Sequence, residues 1–557
     1  MSTSSSDAGT LWSSWRANAT SNPDGVAVVH WVAGEEPRRW RWADLLDRAE
    51  RYAAHLAADG VKQGEVCALI VRHNYEFYPL YMGIVRAGAL PAVLAYPNPR
   101  LHPDKFRDGL EGMAKQSGLD WILTERDLEP VVAPLIARGN SDIGILYPLE
   151  SEPSLEAPAY SNPDPESAAL LQHSSGTTGL QKAVVLSHRT VLSHVRAYAS
   201  FIGVTSNDCI VSWLPLYHDM GLIAAFQLPL AVGVTTVQLD PFEWVVAPSI
   251  LMDAISSEGG TVAWLPNFAY NLLADRVHDD EMESVSLDRM RLFINCSEPV
   301  RADSHDRFRR RFAADGLRAD ALAACYAMAE ATFAVTQTPP GHAARTLKVS
   351  AASLSEGKIT PAGSGREFVS SGFPLPGCEI QIIDNDGSPV PDDRVGEIKI
   401  RSSYLFDGYR NNPAATSAVL KNDWYFTGDF GFMHEGECYV IGRKKDIIIV
   451  AGKNIYPEDI ESQVSLIPRV LPGRVVAFGV PDSTTGTEQV WIVLETEAQE
   501  PEHDELKMEV LRAGMEIDVT ISKVVMVPPR WLIKSSAGKP SRRANRERIL
   551  LTESVDG

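Results

Sequence analysis

The spacing of apolar positions along the first part of the chain predicts strands and helices in alternation. Residues 43–58 carry apolar side chains at the 3.6-residue period of an amphipathic helix. Uninterrupted apolar runs at residues 66–71 and 90–95 predict buried strands, and residues 78–87 between them predict another helix. Strands that alternate with helices favour a parallel sheet with helices on its faces.

Further along, apolar runs end in polar segments at residues 295–299 and 326–330. The first segment follows a predicted strand at residues 291–294, and the second follows a predicted strand at residues 321–325. The carboxyl ends of strands in an open α/β sheet form the edge where ligands bind. The carboxylate of Glu330 is suited there to a Mg²⁺ ion carried by a nucleotide, although an acid at a helix start is the plainer interpretation.

The second half of the chain follows a different pattern. The connection from Glu330 to Gly372 shows little periodicity, and so long a connection inside a compact domain indicates a functional or inserted segment. Beyond it, alternating apolar residues at 380–384 and 396–401 predict strands separated by turns.

Length and composition limit the class of protein. At 557 residues the chain is too long for one core, and we predict a domain of residues 1–442 followed by a small α+β domain of residues 443–557. The formal net charge of −20 argues against nucleic-acid binding and against a basic membrane-binding face. The 6 cysteines form no C-x-x-C, so we expect neither a disulfide framework nor a zinc site. Without an apolar signal core or a run of transmembrane length, a cytoplasmic location is expected.

The most informative stretch is residues 170–189, where two apolar runs flank a loop of Ser, Thr and Gly that ends in Lys182. Gly176 and Gly179 permit a close approach of the backbone, and the hydroxyls and N–H groups of the loop suit a phosphate. The loop is not a P-loop, because Lys182 does not follow a glycine and is followed by Ala183. Taken alone, a Ser/Gly-rich surface turn explains it equally well.

Two aromatic-rich segments are weaker candidates. His218 lies between Tyr217 and Asp219 after a proline turn, a more favourable setting than that of most lone histidines, which are usually structural. Phe268 follows Pro266 at the end of a predicted strand, and core packing is its plainer interpretation.

The order of these motifs resembles the adenylate-forming superfamily, which includes acyl-CoA synthetases, luciferases and the adenylation domains of peptide synthetases. The resemblance covers nearly the whole chain. The motifs that carry it are Ser174 to Lys182, Tyr326 to Glu330, Thr427-Gly428-Asp429, Gly442-Arg443, Gly452 to Pro457 and Gly538-Lys539. Within the superfamily, residues 213–222, residues 266–270 and the extra residues after Glu330 look most like fatty acyl-AMP ligases and acyl-CoA synthetases.

The resemblance implies an α/β fold, with a large N-terminal domain of stacked α/β sheets, a β-rich subdomain and a small mobile α+β C-terminal domain. It also implies roles for individual residues. The implied nucleotide-binding residues are Ser174, Ser175, Gly176, Thr177, Gly179, Lys182, Asn295, Cys296, Ser297, Glu298, Pro299, Tyr326, Ala327, Met328, Ala329, Asp429 and Arg443. The implied catalytic residues are Lys539, His218, Glu330 and Thr178, of which Glu330 and Thr178 also contact Mg²⁺. Trp213, Phe268 and Gly452 are implied for substrate binding, and Lys445 for the hinge.

The implied reaction converts a carboxylic acid and ATP to acyl-AMP and pyrophosphate. The acyl group then passes to a phosphopantetheine thiol, of CoA or of a carrier protein, so ATP, Mg²⁺ and that thiol are the implied cofactors. The apolar residues Trp264 and Phe268 favour a fatty or bulky alicyclic acid.

Five positions depart from the family pattern, and they leave alternatives open. They are Gln181, Ala183, Cys296, Ser297 and Ala327. One alternative is that the substitutions are neutral. The other is that they impair adenylation, and the enzyme then runs mainly the thioester half-reaction from a supplied acyl-AMP. A non-catalytic nucleotide-binding homologue is a further alternative, although intact Lys182, Asp429 and Lys539 argue against it. An unrelated phosphotransferase would produce ADP instead of AMP.

Overall fold

The computed structural model has a mixed α/β architecture, as the sequence predicts. It describes residues 9–96, 111, 114, 117–137, 143–150, 152–153, 163–174, 182–450, 453–482, 487–517, 519–534 and 540–556. Among these residues, no helix combines the length and the apolar character that a membrane crossing requires.

The largest sheet, called here the first sheet, has nine strands within the described residues. Its six inner strands are parallel, and antiparallel strands complete both edges. In spatial order the strands are Phe373–Pro374, Ala334–Gln337, Leu322–Ala327, Leu292–Asn295, Val262–Leu265, Cys209–Ser212, Thr235–Leu239, Val26–Trp31 and Arg38–Arg41.

The second sheet has seven strands within the described residues and carries the predicted phosphate loop. The strands on either side of that loop pair antiparallel, with Ser174 opposite Lys182. In spatial order the strands are Gly408–Tyr409, Lys182–Ser187, Ala168–Ser174, Leu90–Val93, Val66–Ile70, Trp121–Thr124 and Gly144–Leu146.

The third sheet is antiparallel and confirms the β-rich pattern beyond Gly372. Its strands are Cys378–Ile383, Gly396–Ser402, Leu420–Lys421, Trp424–His434 and Glu437–Arg443. The segment between Glu330 and Gly372 is more regular than its sequence indicates. It contains a hairpin of Thr346–Val349 and Arg366–Val369, and this inserted hairpin packs on the third sheet through Phe368 and Phe432.

The C-terminal region, residues 443–557, contains a small sheet of its own. Within the described residues this sheet consists of Val470–Asp482, Thr487–Thr496 and Ile521–Val527, and a shorter pair joins Ile448–Val450 to Lys453–Ile455. A separate apolar cluster between the sheet and its helices centres on Ile460, Ile492 and Val510. The boundary between residues 442 and 443 stays a prediction.

Helices cover the sheets, and the two predicted at residues 43–58 and 78–87 are confirmed as Trp42–Ala58 and Phe77–Arg86, each beginning one residue earlier. Trp42–Ala58, for example, buries Leu45, Ala49 and Leu56 on one face. Within the described residues the remaining helices are Leu11–Ser21, Phe77–Arg86, Glu129–Ala137, His188–Phe201, Leu228–Val232, Pro241–Val246, Ile250–Glu258, Asn267–Arg276, Ala302–Phe312, Ala351–Ser355, Pro413–Val419, Pro457–Val464, His503–Glu516 and Arg542–Asp556. Met220–Gln227 is a π-helix, and short 3₁₀ turns span Arg126–Leu128, Asp280–Met282, Ala329–Ala331, Lys444–Asp446 and Glu500–Glu502.

Candidate active site

A buried carboxylate links the first and third sheets. The hydroxyl of Tyr326 donates to Oδ2 of Asp429 at 2.6 Å, and Nε of Arg443 lies 2.7 Å from Oδ1 of the same carboxylate. Tyr326 lies near the carboxyl end of the strand Leu322–Ala327. Asp429 and Arg443 lie opposite each other on two paired strands of the third sheet. Gly428 supplies the positive φ of 70° that turns the chain immediately before Asp429.

Burial and charge act in opposite directions on the Asp429 carboxylate. Burial raises the pKa of Asp429, while the charge of Arg443 and the hydroxyl of Tyr326 act in the opposite direction. The pKa of Arg443 is raised chiefly by the Asp429 carboxylate. Each carboxylate oxygen already accepts one bond and retains capacity for another, so Asp429 can accept hydrogen bonds from a pair of ligand hydroxyls.

A second group gathers Glu330 and Lys182 around Tyr409. The hydroxyl of Tyr409 donates to Oε1 of Glu330 at 2.7 Å, and Nζ of Lys182 lies 4.5 Å from the centre of the Tyr409 ring. Tyr409 reaches this position because Gly408–Tyr409 pairs with Lys182–Ser187. The sequence analysis did not identify Tyr409. Its local sequence offers only a glycine followed by an aromatic residue, and the strand pairing that brings it here is not visible from the sequence.

Much of the predicted phosphate loop lies outside the described residues. This applies to Ser175, Gly176, Thr177, Thr178 and Gly179, and also to Gly452 and Lys539. Ser174 ends one flanking strand and Lys182 begins the other, so the described strands fix where the loop starts and returns. Ser187 caps the following helix by accepting from the N–H of Thr190 at 3.2 Å.

The segment after Leu292–Asn295 forms a wall at the carboxyl edge of the first sheet. Nδ2 of Asn295 is 3.0 Å from both Oδ1 of Asn267 and Nε2 of His305, in a buried polar network. Ser297 adopts a positive φ of 68°, an uncommon conformation for a residue with a side chain. Oε2 of Glu298 accepts from the N–H of Phe268 at 2.9 Å and so joins this wall to the next helix. Pro299, Ala327, Met328 and Ala329 lie along the same edge.

Trp213 and His218 lie in the segment that follows the strand Cys209–Ser212 of the first sheet. Nδ1 of His218 is 2.7 Å from Oδ1 of Asp219, which caps the π-helix Met220–Gln227. Gly221 allows the start of this helix to contact the preceding turn, because a Cβ there would lie 2.3 Å from the carbonyl oxygen of Pro215.

An aromatic cluster lies beside that turn. The Trp213 and Trp244 rings stack with centroids 3.5 Å apart, and Phe268 meets both edge-on. Phe268 is 42% exposed, so it is not the plain core residue that its sequence indicates.

Two departures from the family pattern are accommodated by the fold. The side chain of Ala183 is buried in the apolar cluster around Leu171, on the opposite face of its strand from Lys182. Cys296 is fully buried, and its thiol is a hydrogen-bond partner of Cys325 on the neighbouring strand. The methyl of Ala183 therefore points into the core and not toward the candidate phosphate site.

The C-terminal region contacts this site through charged residues. Nη2 of Arg301 donates to the carbonyl oxygen of Glu458 at 2.7 Å, and Arg366 of the inserted hairpin is 2.8 Å from Asp459. Burial lowers the pKa of Lys445, and the positive charges of Arg443, Arg543 and Lys182 act in the same direction. The predicted hinge residue therefore lies within the electrostatic field of the candidate phosphate site.

The residues present fit a nucleotide and its metal ion. Asp429 suits the two ribose hydroxyls, Lys182 suits phosphate oxygens, and Glu330 keeps one carboxylate oxygen that does not bond to Tyr409. A hard carboxylate oxygen is the type of ligand that Mg²⁺ takes in nucleotide sites.

A family model described as AMP-binding enzyme matches residues 15–410, which include the predicted phosphate loop, the wall at residues 295–299, Tyr326 and Glu330. This chain belongs to the AMP-binding enzyme family. A putative acyl-CoA synthetase of Caulobacter vibrioides is 30% identical over 92% of this chain and 90% of its own length. A long-chain-fatty-acid–AMP ligase of Mycobacterium marinum, FadD26, is 30% identical over 91% of each chain.

Solved structures agree with this family membership. A structure from work on fatty acyl-adenylate ligases of E. coli and L. pneumophila superposes with a TM-score of 0.90 at 26% identity, covering 100% of both chains. A fatty acyl-adenylate ligase of L. pneumophila, in complex with acyl adenylate and pyrophosphate, superposes with a TM-score of 0.74 at 27% identity, covering 97% of this chain and 96% of that chain. This AMP-binding enzyme therefore has an adenylate-forming function like those of fatty acyl-AMP ligases and acyl-CoA synthetases, and ATP is the nucleotide of its family.

Proposed function

We propose that this enzyme activates a fatty or bulky alicyclic carboxylic acid with ATP and transfers the acyl group to a phosphopantetheine thiol. The observation that carries the proposal is the joint placement of the Tyr326–Asp429–Arg443 group and the Glu330–Tyr409–Lys182 group. The first group offers an acceptor for ribose, and the second offers a cation and a carboxylate for phosphate and metal. The name of the M. marinum relative, a long-chain-fatty-acid–AMP ligase, supports an acyl substrate.

In the first half-reaction, a carboxylate oxygen of the acid attacks the α-phosphorus of ATP. The bond from that phosphorus to the oxygen bridging to the β-phosphate breaks, and pyrophosphate leaves with the electron pair. Negative charge increases on the phosphoryl oxygens, so the protein contributes mainly positioning and cations. We assign Lys182 and residues 174–179 to the β- and γ-phosphates, and Lys539 to the α-phosphate and the attacking carboxylate.

The remaining roles follow from position. Glu330 and Thr178 would hold a Mg²⁺ ion, which when bound supplies positive charge to the triphosphate. The wall of Asn295, Cys296 and Ser297 would enclose the adenine. His218 lies beside the acyl carboxylate in this assignment, and the aromatic cluster of Trp213, Trp244 and Phe268 excludes water from the acyl-AMP, which hydrolyses readily.

In the second half-reaction, a thiol sulfur attacks the acyl carbon, the thiol proton is released, and AMP leaves. We propose that this step requires the C-terminal region to rotate about Lys445, which brings the loop at Gly452 beside the pantetheine. The contacts of Arg301 with Glu458 and of Arg366 with Asp459 oppose that rotation. We therefore expect slow transfer to free CoA and efficient transfer to a carrier protein, whose docking energy can offset the loss of these contacts.

We also propose a cytoplasmic location, because all 6 cysteines of the chain are free. The domain boundary after residue 442 belongs to the same proposal, because the 3₁₀ turn Lys444–Asp446 follows directly and the C-terminal region has its own apolar cluster.

Product analysis tests the proposed function. The protein is incubated with ATP, Mg²⁺ and a panel of fatty and alicyclic acids, with and without CoA, and products are identified by mass spectrometry. We expect acyl-AMP, AMP and pyrophosphate, and acyl-AMP that persists when CoA is present. ADP would indicate a phosphotransferase. No product from ATP, together with thioester formation from synthetic acyl-AMP, would indicate an enzyme that runs only the second half-reaction.

A further inference from the structure

The chain on either side of Lys539 closes on itself in a short paired segment, called here the loop base. Lys534 pairs with Pro540 in an antiparallel bridge, and the N–H of Ser541 donates to the carbonyl oxygen of Ile533 at 2.9 Å. The two sides of the loop base therefore run next to each other in opposite directions. Because Lys539 directly precedes Pro540, the geometry of the loop base limits where the Lys539 side chain can reach.

One buried side chain holds both sides of the loop base. Asn545 is 0% exposed, and its Oδ1 accepts from the N–H of Ile533 at 2.7 Å. Its Nδ2 donates to the carbonyl oxygen of Ile533 at 2.9 Å and to that of Ser541 at 2.8 Å. The amide of Asn545 thus uses both of its donors and bonds the chain before and after Lys539, so it sets the separation of the two sides.

Arg542, which follows the loop base and begins the last helix, is held by three carboxylates. Its Nε and Nη2 lie 2.8 and 2.6 Å from the two carboxylate oxygens of Glu461. Its Nη1 lies 2.7 Å from Oε1 of Glu458 and 2.8 Å from Oδ2 of Asp446. Burial acts to lower the pKa of Arg542, but the charges of these carboxylates outweigh it and raise the pKa. Pairing through both sides of the guanidinium fixes its orientation as well as its position.

Glu458 and Asp446 connect Arg542 to the candidate active site. Asp446 directly follows the predicted hinge residue Lys445. The carbonyl oxygen of Glu458 accepts from Nη2 of Arg301, two residues beyond the wall at the carboxyl edge of the first sheet. A continuous series of contacts therefore runs from that wall to the loop base.

From these contacts we propose that Asn545 and Arg542 are positioning residues for Lys539 in the first half-reaction. The inference rests on the proposed function, which assigns Lys539 to the α-phosphate and the attacking carboxylate. Asn545 sets the shape of the loop base, and Arg542 sets its place relative to the wall. A displacement of a catalytic group by about 1 Å costs about 10²-fold in rate, so loss of either residue should slow the reaction through Lys539.

A purely structural role is the alternative, because buried ion pairs and buried hydrogen bonds also contribute to stability. The two roles differ in how a substitution combines with Lys539→Ala. A residue that acts through Lys539 has nothing left to position when the amine is absent. A loss of folded protein lowers the rate by the same factor whether Lys539 is present or not.

Two substitutions, each made in the wild type and in Lys539→Ala, test the proposal. Arg542→Lys keeps the charge and loses the fork that pairs with Glu461, and Asn545→Ala removes the bonds to both sides of the loop base. Acid-dependent ATP–pyrophosphate exchange gives kcat and KM for ATP. In the wild type we expect kcat to fall by about 10- to 100-fold, with KM for ATP within about twofold. In Lys539→Ala we expect a further fall of less than about twofold.

Arg469→Lys is the matched control. Arg469 also belongs to the C-terminal region and also bridges carboxylates, Glu505 at 2.8 Å and Glu509 at 2.7 Å, which lie on the helix His503–Glu516. This variant should keep kcat within about twofold of the wild type. Thermal unfolding of each variant shows whether it folds, and if Asn545→Ala does not fold, Arg542→Lys decides alone.

The outcomes separate the positioning proposal from the proposed function. A near-wild-type kcat for Arg542→Lys, an equal fold-loss in the two backgrounds, or an equal loss in Arg469→Lys would overturn the positioning proposal, while Lys539 keeps its assigned role. Exchange that is independent of Lys539, or absent with every acid, would overturn the proposed function and the positioning proposal with it.

Discussion

The hydroxyl of Tyr326 lies 2.6 Å from Oδ2 of Asp429, and this bond joins the end of an inner strand of the first sheet to the third sheet. Because Arg443 holds the other carboxylate oxygen at 2.7 Å, Asp429 is fixed in one orientation. If Asp429 accepts the ribose hydroxyls, Asp429→Asn should raise KM for ATP by about 100-fold and Tyr326→Phe by about tenfold, in line with hydrogen bonds to a charged group.

Acid-dependent ATP–pyrophosphate exchange at varied ATP measures these effects. Tyr404→Phe is a matched control, because its hydroxyl donates to the carbonyl oxygen of Pro376 away from the site. If Asp429→Asn leaves KM for ATP unchanged, this carboxylate does not bind the nucleotide.

The Arg366–Asp459 pair yields a prediction about the second half-reaction. Both side chains are largely buried, and Nη1 of Arg366 has no partner in the described structure. Arg366→Ala removes the cation that lies 2.8 Å from Asp459, so it should lower the free energy of unfolding by about 2 kcal/mol. It should also raise the proportion of acyl-CoA over acyl-AMP, since a contact that opposes rotation is lost.

Arg345→Ala provides the comparison. Arg345 lies just before the inserted hairpin and pairs with Glu437 of the third sheet at 3.3 Å, without touching the C-terminal region. The ratio of acyl-CoA to acyl-AMP, measured for both variants with CoA present, tests the role of Arg366. A ratio that rises equally in the two variants, or in neither, would refute the assigned role of Arg366.

The departures from the family pattern should have little effect on adenylation. Because the methyl of Ala183 packs in the core, Ala183→Gly should lower the free energy of unfolding by about 1 kcal/mol and should not increase the rate of pyrophosphate exchange. Cys296→Gly, which removes a buried thiol, should behave similarly. Denaturant unfolding and exchange rates test this, and a gain in exchange of tenfold or more would instead favour the hypothesis of impaired adenylation.

Buried neutral histidines should make the protein sensitive to mild acid. Burial lowers the pKa of His173, His188, His194 and His305 to about 4 and that of His30 to about 3. Between pH 6.5 and 4 the unfolded chain binds protons that these folded histidines do not. As the pH is lowered, the free energy of unfolding should therefore decrease. The decrease is about 1.4 kcal/mol per pH unit for each histidine that is protonated in the unfolded chain and neutral in the folded chain.

Some carboxylates act in the opposite direction. Burial raises the pKa of Asp429, Asp459 and Glu461, so these groups favour the folded state as the pH falls. At pH 5 the unfolded chain has protonated its histidines, whose ordinary pKa is about 6.5, while the folded histidines stay neutral, so we expect the effect of the histidines to dominate. Thermal unfolding at pH 7 and pH 5 should show a lower Tm at pH 5, and an equal or higher Tm there would contradict the expected sign.

The sequence predicted those elements whose local signals agree with the fold. The apolar runs that flank the predicted phosphate loop and the helical period of residues 43–58 depend on neighbours within a few residues, and the structure has the two strands and the helix Trp42–Ala58 as expected. Family motifs likewise indicated Tyr326, Asp429 and Arg443, which the structure brings into contact.

Long-range pairing produced the features that the sequence did not reveal. Tyr409 reaches Glu330 only through a two-residue strand pairing with Lys182–Ser187, and Arg366 reaches Asp459 from a hairpin with little periodicity. The edge strand Arg38–Arg41 was also missed, because three of its four residues are arginine and a single tryptophan points inward. Such contacts depend on the tertiary fold and have no local signature.

The central claim is that this enzyme forms acyl-AMP reversibly from an acid and ATP. The most direct measurement is exchange of labelled pyrophosphate into ATP, with and without acid, for the wild type and Lys539→Ala. The account predicts exchange that requires both acid and Mg²⁺ and that falls by about 10²–10³ in the variant, as for loss of one preorganised transition-state donor. Exchange without acid, absence of exchange with every acid, or near-full exchange by Lys539→Ala would contradict it.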